Sequence, residues 1–272
     1  MASITLRNVC IDYPVHRVGA SKMGEAAEDR MGGRIFIQKN REYVRALDRI
    51  NIDITAGQRI GLIGSNGSGK STLLRTLAGI LPIASGERTI DGRISTLFST
   101  SAGIDGELTG VENIHRLAAL YGLPRESVGE LIESIADFSE LGTFMKMPVK
   151  TYSAGMRARL GFAFVTSIRA EIVLIDEVIG VGDKSFYAKA QKRLSEFMEG
   201  SGIVVLASHS VAVLETLCTR AFVLRNGRIV YRGNVQKAQR FYKSRSVEER
   251  QLMKSELAGK QNQPGANAGS AT

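Results

Sequence analysis

The 272-residue sequence predicts an α/β fold with a parallel core sheet, antiparallel strands near the N-terminus and an inserted α-helical subdomain. Two continuous apolar runs, at 172–175 and 203–207, are typical of buried parallel strands. A third apolar run, at 59–63, leads directly into a glycine-rich loop. Between about 99 and 168 apolar residues recur every three or four positions, which indicates helices. Together these patterns predict one α/β domain over 1–244 with a helical lobe inserted in it.

Composition is that of an ordinary globular chain, with 43% hydrophobic residues and a net charge of +9. No apolar run approaches the roughly 18 residues of a membrane span, and residues 1–13 lack the order of a secretory signal, so we expect a cytosolic location. Both cysteines, Cys10 and Cys218, lack metal-ligand neighbours and are interpreted as small buried residues.

Ten Lys or Arg against three Glu fall within 225–260. This basic end is typical of a solvated helix and tail, and is compatible with nucleic acid, anionic lipid or an acidic partner.

The remaining segments follow local signals. Residues 4–9 and 49–54 alternate as paired strands, and the polar, glycine-containing insert 16–43 between them predicts a loop with limited helix, whose role the sequence leaves open. Helices are expected over 71–80, 110–120, 125–138, 154–168 and 183–198. Asn226-Gly227 between two apolar runs predicts a hairpin. Residues 245–272 turn charged and then low in complexity, which predicts a disordered tail.

The glycine-rich loop reads Gly-Ser-Asn-Gly-Ser-Gly-Lys-Ser, the P-loop pattern between a strand and a helix. Its glycines allow successive backbone N–H groups to face a phosphate, and the helix N-terminus adds partial positive charge. Lys70 is placed to reach the β- and γ-phosphates, and Ser71 to ligate magnesium. The predicted nucleotide-binding residues of this segment are Gly64, Ser65, Asn66, Gly67, Ser68, Gly69, Lys70, Ser71 and Thr72.

A second chemical element ends the apolar run at 172–175, where Asp176 and Glu177 follow. Open parallel sheets bind ligands at the carboxyl ends of their strands. Asp176 is therefore predicted to ligate Mg²⁺, and Glu177 to act as the general base that polarises the attacking water. A strand ending in two acidic residues is common, and the P-loop is what favours this functional interpretation.

The third element is Tyr-Ser-Ala-Gly-Met at the start of the helix predicted over 154–168. Ser153 is a natural N-cap, and by itself this predicts only a well-capped helix. Its position 23 residues before Asp176 is the spacing that separates the ABC ATPases from other P-loop proteins. The chain resembles that family over about residues 4–242, although the familiar Leu-Ser-Gly-Gly-Gln signature is altered here.

The resemblance implies an ABC nucleotide-binding domain that dimerises head to tail around ATP and Mg²⁺. It assigns His209 to contact the γ-phosphate, Tyr13 to stack on adenine, and Ser153 with Gly155 to bind the nucleotide held by the other copy. The loop 180–183 follows the magnesium strand and would touch the partner subunit. The glutamine usual in this family is missing near Ser99, which implies a different coupling to the helical lobe.

Several departures from the common pattern resemble the bacterial polysaccharide exporters, which move lipid-linked O-antigen, capsule or teichoic acid across the inner membrane. They include Tyr-Ser-Ala-Gly-Met-Arg, the preceding Pro-Val-Lys-Thr, the Glu-Leu-Thr-Gly-Val-Glu-Asn run and the Val-Gly-Asp after Glu177. The insert before Ala46 resembles the O-antigen branch. The implied partners are a pair of membrane-embedded permease subunits, with docking expected around 100–113, and the implied location is the cytoplasmic face of the inner membrane.

Two other readings remain open at this level. A soluble ABC-type ATPase acting on nucleic acid or ribosomes would suit the basic C-terminal segment, but such proteins usually carry tandem cassettes or long coiled coils. A nucleotide sensor that binds ATP without hydrolysing it would not need Glu177 and His209. We therefore expect no nucleic-acid partner and expect ATP hydrolysis.

Overall fold

The computed structural model describes residues 1–15, 34–38, 41–98, 103–176, 184–208 and 210–245. Its strands are β1 (Ser3–Pro14), β2 (Arg34–Gln38), β3 (Arg41–Thr55), β4 (Arg59–Ile63), β5 (Ser85–Asp91), β6 (Ile94–Leu97), β7 (Ile172–Asp176), β8 (Ile203–Ala207), β9 (Arg220–Arg225) and β10 (Arg228–Gly233). Its helices are α1 (Lys70–Leu77), α2 (Gly110–Leu120), α3 (Val128–Ser139), α4 (Ala154–Ser167), α5 (Lys184–Glu199) and α6 (Val211–Leu217). A further helix, α7, covers 235–245.

The core sheet has the strand order β10-β9-β4-β8-β7-β6. Strands β9, β4, β8, β7 and β6 run parallel, and β10 joins antiparallel through the hairpin at Asn226-Gly227. Both turn residues have positive φ, 46° and 72°, which the tight hairpin turn requires. The predicted parallel core and hairpin are confirmed.

A second sheet is antiparallel, in the order β2-β3-β1-β5. It confirms the predicted pairing of 4–9 with 49–54 and extends it in both strands. The prediction of a loop with limited helix over 16–43 is wrong for 34–38, which form β2, and for 41–43, which begin β3. The reason is a short apolar run at 35–37 whose Phe36 ring stacks on Tyr43 across the strands, with centroids 5.6 Å apart. Residues 16–33 and 39–40 lie outside the described part of the chain.

Two hydrophobic layers lie on opposite faces of the core sheet. On one face, alternate residues such as Leu62 and Leu174 pack with α1 and the antiparallel sheet. On the other face, residues such as Val173 and Leu206 pack with α4, α5 and the helical lobe. Because every residue at 203–207 is buried, the strand reads as a continuous apolar run rather than an alternating one. The phosphate loop leaves β4 at the end of this sandwich.

The helical lobe confirms the three predicted helices with small shifts at their ends. Thr109 begins α2 with a capping box, because its side chain accepts the Glu112 N–H and the Glu112 carboxylate accepts the Thr109 N–H. A 3₁₀ turn (Arg125–Ser127) precedes α3, and two more (Gly142–Lys146 and Val149–Thr151) precede α4. The helix expected over 71–80 ends at Leu77.

Strands β5 and β6 and helix α6 were not predicted. Apart from Arg245, the predicted tail lies outside the described residues. No helix in the described ranges is long and apolar enough to cross a membrane.

Candidate functional site

The phosphate loop between β4 and α1 is shaped by glycines at which a side chain would cause close contacts or backbone strain. A Cβ at Gly64 would come within 2.4 Å of the Ser68 Oγ and 2.6 Å of the Leu224 carbonyl oxygen. Gly69 has φ 106° and accepts the Leu73 N–H at 2.8 Å as α1 begins. The backbone can therefore fold tightly at the helix N-terminus, where N–H groups and the helix dipole favour an anion.

Lys70 is the first residue of α1 and is only 8% exposed. Its ammonium group donates to the Gly64 carbonyl at 2.7 Å and to the Ser65 carbonyl at 3.0 Å. A buried lysine needs such acceptors because its charge is costly to remove from water. The structure thus holds the charge of Lys70 within the phosphate loop.

The other predicted loop residues differ in how exposed their side chains are. Ser65, Asn66 and Gly67 are exposed, and Ser71 and Thr72 are half-buried in the first turn of α1. Ser68 differs, because its side chain is 2% exposed and its Oγ has no hydrogen-bond partner among the described residues. Its N–H donates to the Ser65 carbonyl at 3.2 Å. Ser68 therefore fills the loop from within rather than presenting its hydroxyl outward.

A support beneath the phosphate loop was missed by sequence reasoning. The Gly227 N–H, at the tip of the β9–β10 hairpin, donates to the Ser68 carbonyl at 3.1 Å, and the Gly227 carbonyl accepts the Asp48 N–H at 2.9 Å. A Cβ at Gly227 would come within 2.4 Å of the Ala46 carbonyl oxygen. The Asn-Gly signal predicted the hairpin, but no local pattern indicates what its tip touches.

An ion pair connects that hairpin to β3, because Arg228 donates to the Asp48 carboxylate, with one bond of 2.7 Å from its Nε. A second ion pair connects β3 to β1, where Arg45 donates to Asp12 through both its Nε and a terminal nitrogen. Burial raises the pKa of Asp48, but the hydrogen bond and charge of Arg228, with Arg49 and Arg45, outweigh it and leave the pKa below its ordinary value. The hydrogen bond to Asp12 raises the pKa of Arg45 despite its partial burial.

Asp176 ends β7, where it pairs with Ala207 at the end of β8. Because β8 also pairs in parallel with β4, the carboxyl ends of these three strands lie at one edge of the sheet, which is also where the phosphate loop begins. Asp176 is half-buried there. Glu177, His209 and the loop 180–183 lie outside the described residues, as does 99–102, where the glutamine is missing.

Tyr13 lies near the end of β1, paired with Val44 of β3. It shares a face of the strand with Ile11, which is buried in the layer that contains α1. Leu47, the partner of Ile11, lies 3.0 Å from the position of a Cβ on Gly69. The Tyr13 side chain, 36% exposed, thus continues the face that borders the phosphate loop.

Ser153 caps α4, and its Oγ accepts the Met156 N–H at 3.2 Å. Its side chain is exposed and Gly155 is half-buried. Arg157 of the first turn donates back to the Tyr152 carbonyl, which holds the entry into the helix. The structure therefore presents a capped helix N-terminus on the helical lobe, a geometry suited to an anion that approaches from outside.

A parallel sheet with a phosphate loop entering a helix, and a carboxylate on a neighbouring strand end, defines a nucleotide-binding α/β domain. Comparison with known proteins shows which family of nucleotide-binding proteins the chain resembles. A family model described as "ABC transporter" matches residues 47–180. The chain is 44% identical to the O-antigen export system ATP-binding protein RfbE of Yersinia enterocolitica, over 84% of this chain and 97% of that protein.

Two further relatives agree. Identity is 35% to the O-antigen export system ATP-binding protein RfbB of Klebsiella pneumoniae, over 88% of this chain and 97% of that protein. It is 37% to the teichoic acids export ATP-binding protein TagH of Bacillus anthracis, over 84% of this chain but only 43% of that protein. The chain therefore belongs to the ABC transporter family of ATP-binding proteins. The motif-based resemblance to this family, and to its polysaccharide-export group, is confirmed.

Solved structures show the same fold at lower identity. A structure titled "Structure of ATP binding subunit of ABC transporter" aligns with a TM-score of 0.66 at 19% identity, over 88% of this chain and 92% of that chain. A dimeric structure of the ATP-binding cassette MJ0796 bound to ADP and Pi aligns with a TM-score of 0.64 at 22% identity, over 85% and 98%. These confirm the predicted P-loop core with an inserted helical subdomain.

Proposed function

We propose that this protein is the ATP-hydrolysing subunit of an ABC exporter that moves a lipid-linked polysaccharide across the bacterial inner membrane. O-antigen is the first candidate cargo, with capsule or teichoic acid as the other members of the class. The names of the relatives support export, and 97% coverage of RfbE and RfbB means that those proteins have no large part without a counterpart here. The observation that carries the ATPase function is the buried Lys70 ammonium at the mouth of the phosphate loop.

The described residues fit a magnesium nucleotide. A Cβ on Gly64 would force its neighbours to shift, and without one the backbone there can approach a phosphate closely. Ser71 and Asp176 would hold Mg²⁺. Phosphate oxygens and water would complete the coordination of the ion. When bound, Mg²⁺ neutralises charge that develops on the phosphates.

Each side chain then has a separate task. Lys70 binds the β- and γ-phosphates, and its charge stabilises the transferring group. Glu177 accepts the proton of the attacking water, and His209 contacts the γ-phosphate and orients it. Tyr13 stacks on the adenine ring. The backbone of 65–69 and the side chain of Thr72 complete the cradle.

The protein works as a homodimer in this proposal. Ser153 and Gly155 of one copy face the γ-phosphate held by Lys70 of the other, so ATP joins the two copies and hydrolysis lets them separate. The start of α4 supports this arrangement, because Ser153 is exposed and Gly155 only half-buried at a helix N-terminus. Separation would move two permease subunits docked on the helical lobe, with the ATPase peripheral at the cytoplasmic face.

The assignment of the general base is tested with Glu177→Gln. Removing the carboxylate should lower the ATPase rate at least about 100-fold while ATP binding is retained, since the amide cannot accept the proton. Glu130→Gln, an exposed change on α3, is the matched control and should leave the rate unchanged. A Glu177→Gln protein that hydrolyses ATP at the normal rate would remove this role.

Export is tested by isolating the tagged protein from detergent-solubilised membranes. We expect a hydrophobic permease to co-purify and to change the ATPase rate. Co-purification of RNA or DNA with no permease would instead support the soluble, nucleic-acid-directed ATPase. Tight ATP binding with no hydrolysis would support a sensor.

A further inference from the structure

Two segments of the helical lobe that are distant in sequence form a single unit. The first is the α2 loop, residues 103–109, at the N-terminus of α2. The second is the pre-signature segment, residues 147–152, which leads directly into Ser153. An isolated antiparallel bridge joins Thr109 to Pro148. The Val149 N–H donates to the Leu108 carbonyl at 2.9 Å, and the Lys150 N–H donates to the Gly106 carbonyl at 2.8 Å.

The α2 loop is held from behind by Asn113, whose side chain is completely buried. Its Oδ1 accepts the Asp105 N–H at 2.7 Å, and its Nδ2 contacts the carbonyls of Asp105 at 2.9 Å, Thr109 at 3.0 Å and Leu108 at 3.2 Å. A buried amide with these partners fixes the path of the loop, because removing the Asn113 side chain would leave the Asp105 N–H and carbonyl without this partner. The loop is therefore rigidly tied to α2.

An ion pair closes the same unit on its outer surface. Lys150 Nζ lies 2.7 Å from the Glu107 carboxylate, and both side chains are largely exposed, at 59% and 75%. An exposed pair contributes little to overall stability, so it is not needed to hold the lobe together. Its position is what distinguishes it, since it joins the tip of the α2 loop to the segment that precedes Ser153.

The pre-signature segment connects the α2 loop to the start of α4 through hydrogen bonds and close packing at Tyr152. The Tyr152 N–H donates to the Val149 carbonyl at 3.0 Å, and the Tyr152 hydroxyl donates to the Phe144 carbonyl at 2.5 Å. Burial raises the pKa of Tyr152, so it remains a neutral donor. A Cβ on Gly110 would meet that hydroxyl at 2.6 Å, so the start of α2 packs directly on Tyr152. No flexible linker separates the α2 loop from Ser153.

We propose that the α2 loop and the pre-signature segment act as one rigid strut, in which Asn113 and the Glu107–Lys150 ion pair are positioning residues for Ser153. The inference rests on the proposed function, because the force on the loop would come from the permease. A displacement of the α2 loop then shifts the start of α4 with it, and thereby the contact of Ser153 with the nucleotide in the other copy. ATP capture responds to the permease through this strut.

A reversible crosslink tests the rigidity directly. A Cβ on Gly106 would lie 3.7 Å from the Lys150 Cβ, within the range of a disulfide, and both native cysteines are buried. The double variant Gly106→Cys/Lys150→Cys is assembled with the permease in vesicles, and its ATPase rate is measured reduced and oxidised. The reduced form lacks the ion pair, so its permease-stimulated ATPase rate should be about fivefold lower than that of the unmodified protein. A change of this size corresponds to the largest interaction energies measured for exposed ion pairs. Oxidation should restore the rate.

The outcomes separate clearly. If oxidation abolishes stimulation, the two segments must part during the cycle and the strut is wrong. If the reduced and oxidised forms both match the unmodified protein, the ion pair does not position Ser153 and the proposal also fails. The single variants Gly106→Cys and Lys150→Cys control for oxidation elsewhere. If the unmodified complex shows neither stimulation nor export, the proposed function itself has failed, which is a different result.

A charge exchange gives a second measurement that a purely structural role would not affect. Glu107→Lys and Lys150→Glu should each lower the stimulated rate about fivefold. The Tm of the isolated protein should stay unchanged, because both side chains of the pair are largely exposed. The double exchange should recover coupling. The matched control is the exposed Arg7–Asp53 pair, 2.6 Å apart, whose exchange should leave stimulation intact. Equal effects at both pairs would overturn the proposal.

Discussion

The phosphate loop and the start of α4 both present a helix N-terminus, but the chain builds them in opposite ways. The phosphate loop is enclosed, with glycines in van der Waals contact, Lys70 buried and the hairpin tip pressed beneath it. Ser153 is exposed, caps α4 and follows a pre-signature segment held by the Tyr152 N–H bond to the Val149 carbonyl. In the shared site that we propose, enclosure would fix one half within its own chain, and exposure would leave the other half available to a second copy. The difference predicts that substitutions in the two regions will fail differently.

The largest effect is expected at Lys70. Lys70→Ala removes a buried charge that the transferring phosphate needs, so the ATPase rate should fall at least about 100-fold. The rate is measured on the purified protein at saturating ATP, with Lys237→Ala on the exposed side of α7 as the control. A Lys70→Ala rate within tenfold of the unmodified protein would contradict the enclosed half of the comparison.

Ser153 should separate stability from activity. Ser153→Asp keeps an N-cap of equal quality but places negative charge where a phosphate should approach, so the rate should fall about 10- to 100-fold with Tm nearly unchanged. Ser153→Ala should cost about 1 kcal/mol of folding free energy, a Tm decrease of roughly 2–4 °C. Both quantities are read by thermal unfolding and ATPase assay on the same samples.

Mixing variants tests whether the exposed half serves another copy. A Lys70→Ala protein mixed with a Ser153→Asp protein forms dimers in which one of the two sites has neither change. The rate should rise well above that of either variant alone. Failure to recover in a mixture shown to exchange subunits would place Ser153 outside the shared site.

A moderate effect is expected from filling the enclosed loop. Gly64→Ala places a methyl group against the Ser68 Oγ and the Leu224 carbonyl, so the loop must shift, with a cost of about 1–3 kcal/mol. We expect KM for ATP to rise roughly tenfold, because a backbone shift at a positioned site has consequences of this order. Gly129→Ala, which meets nothing within 4 Å, is the control and should leave KM unchanged.

The smallest effect concerns the support beneath the loop and depends on pH. The pKa of Asp48 is lower in the folded protein than its ordinary value of 3.8. The free energy of folding that its ion pair with Arg228 contributes is therefore fully present above pH 3.8, and it is lost as pH falls through the lower folded pKa. Arg228→Gln should therefore reduce Tm at pH 7 by a few degrees. The difference from the unmodified protein should shrink below about pH 4 as the carboxylate becomes protonated. Thermal unfolding from pH 3 to 7 measures it, and a difference independent of pH would contradict the ionic cause.

How much of this arrangement the sequence predicts depends on the range of each signal. The phosphate loop, the apolar strand before Asp176 and the cap at Ser153 are local patterns, and the elements around them are confirmed. The strand β2 was mistaken for loop because its three apolar residues lie in a polar, glycine-containing segment, although the pairing of Phe36 with Tyr43 gives it a partner. Strand pairing across a gap is a tertiary effect that local propensity does not show.

The contacts that hold the site in place could not be predicted either, because they are also tertiary contacts between distant parts of the chain. Asp48 and Arg228 are 180 residues apart, and neither belongs to a motif. Asn113 lies within the Glu-Leu-Thr-Gly-Val-Glu-Asn run that supported the family resemblance, yet its role as a clamp appears only once the loop folds back on it. The spacing of Gly106 and Lys150 carries no periodic signal, so their contact could be found only in the folded chain.

The position of Gly227 under the phosphate loop joins a segment that is synthesised early to one that is synthesised late. The loop at 64–71 emerges early from the ribosome, but the hairpin that supports it through the Ser68 carbonyl is made more than 150 residues later. A chain still being translated therefore has the phosphate-binding sequence without its finished shape. The loop therefore gains the hydrogen bond from Gly227 only after nearly the whole domain has been synthesised.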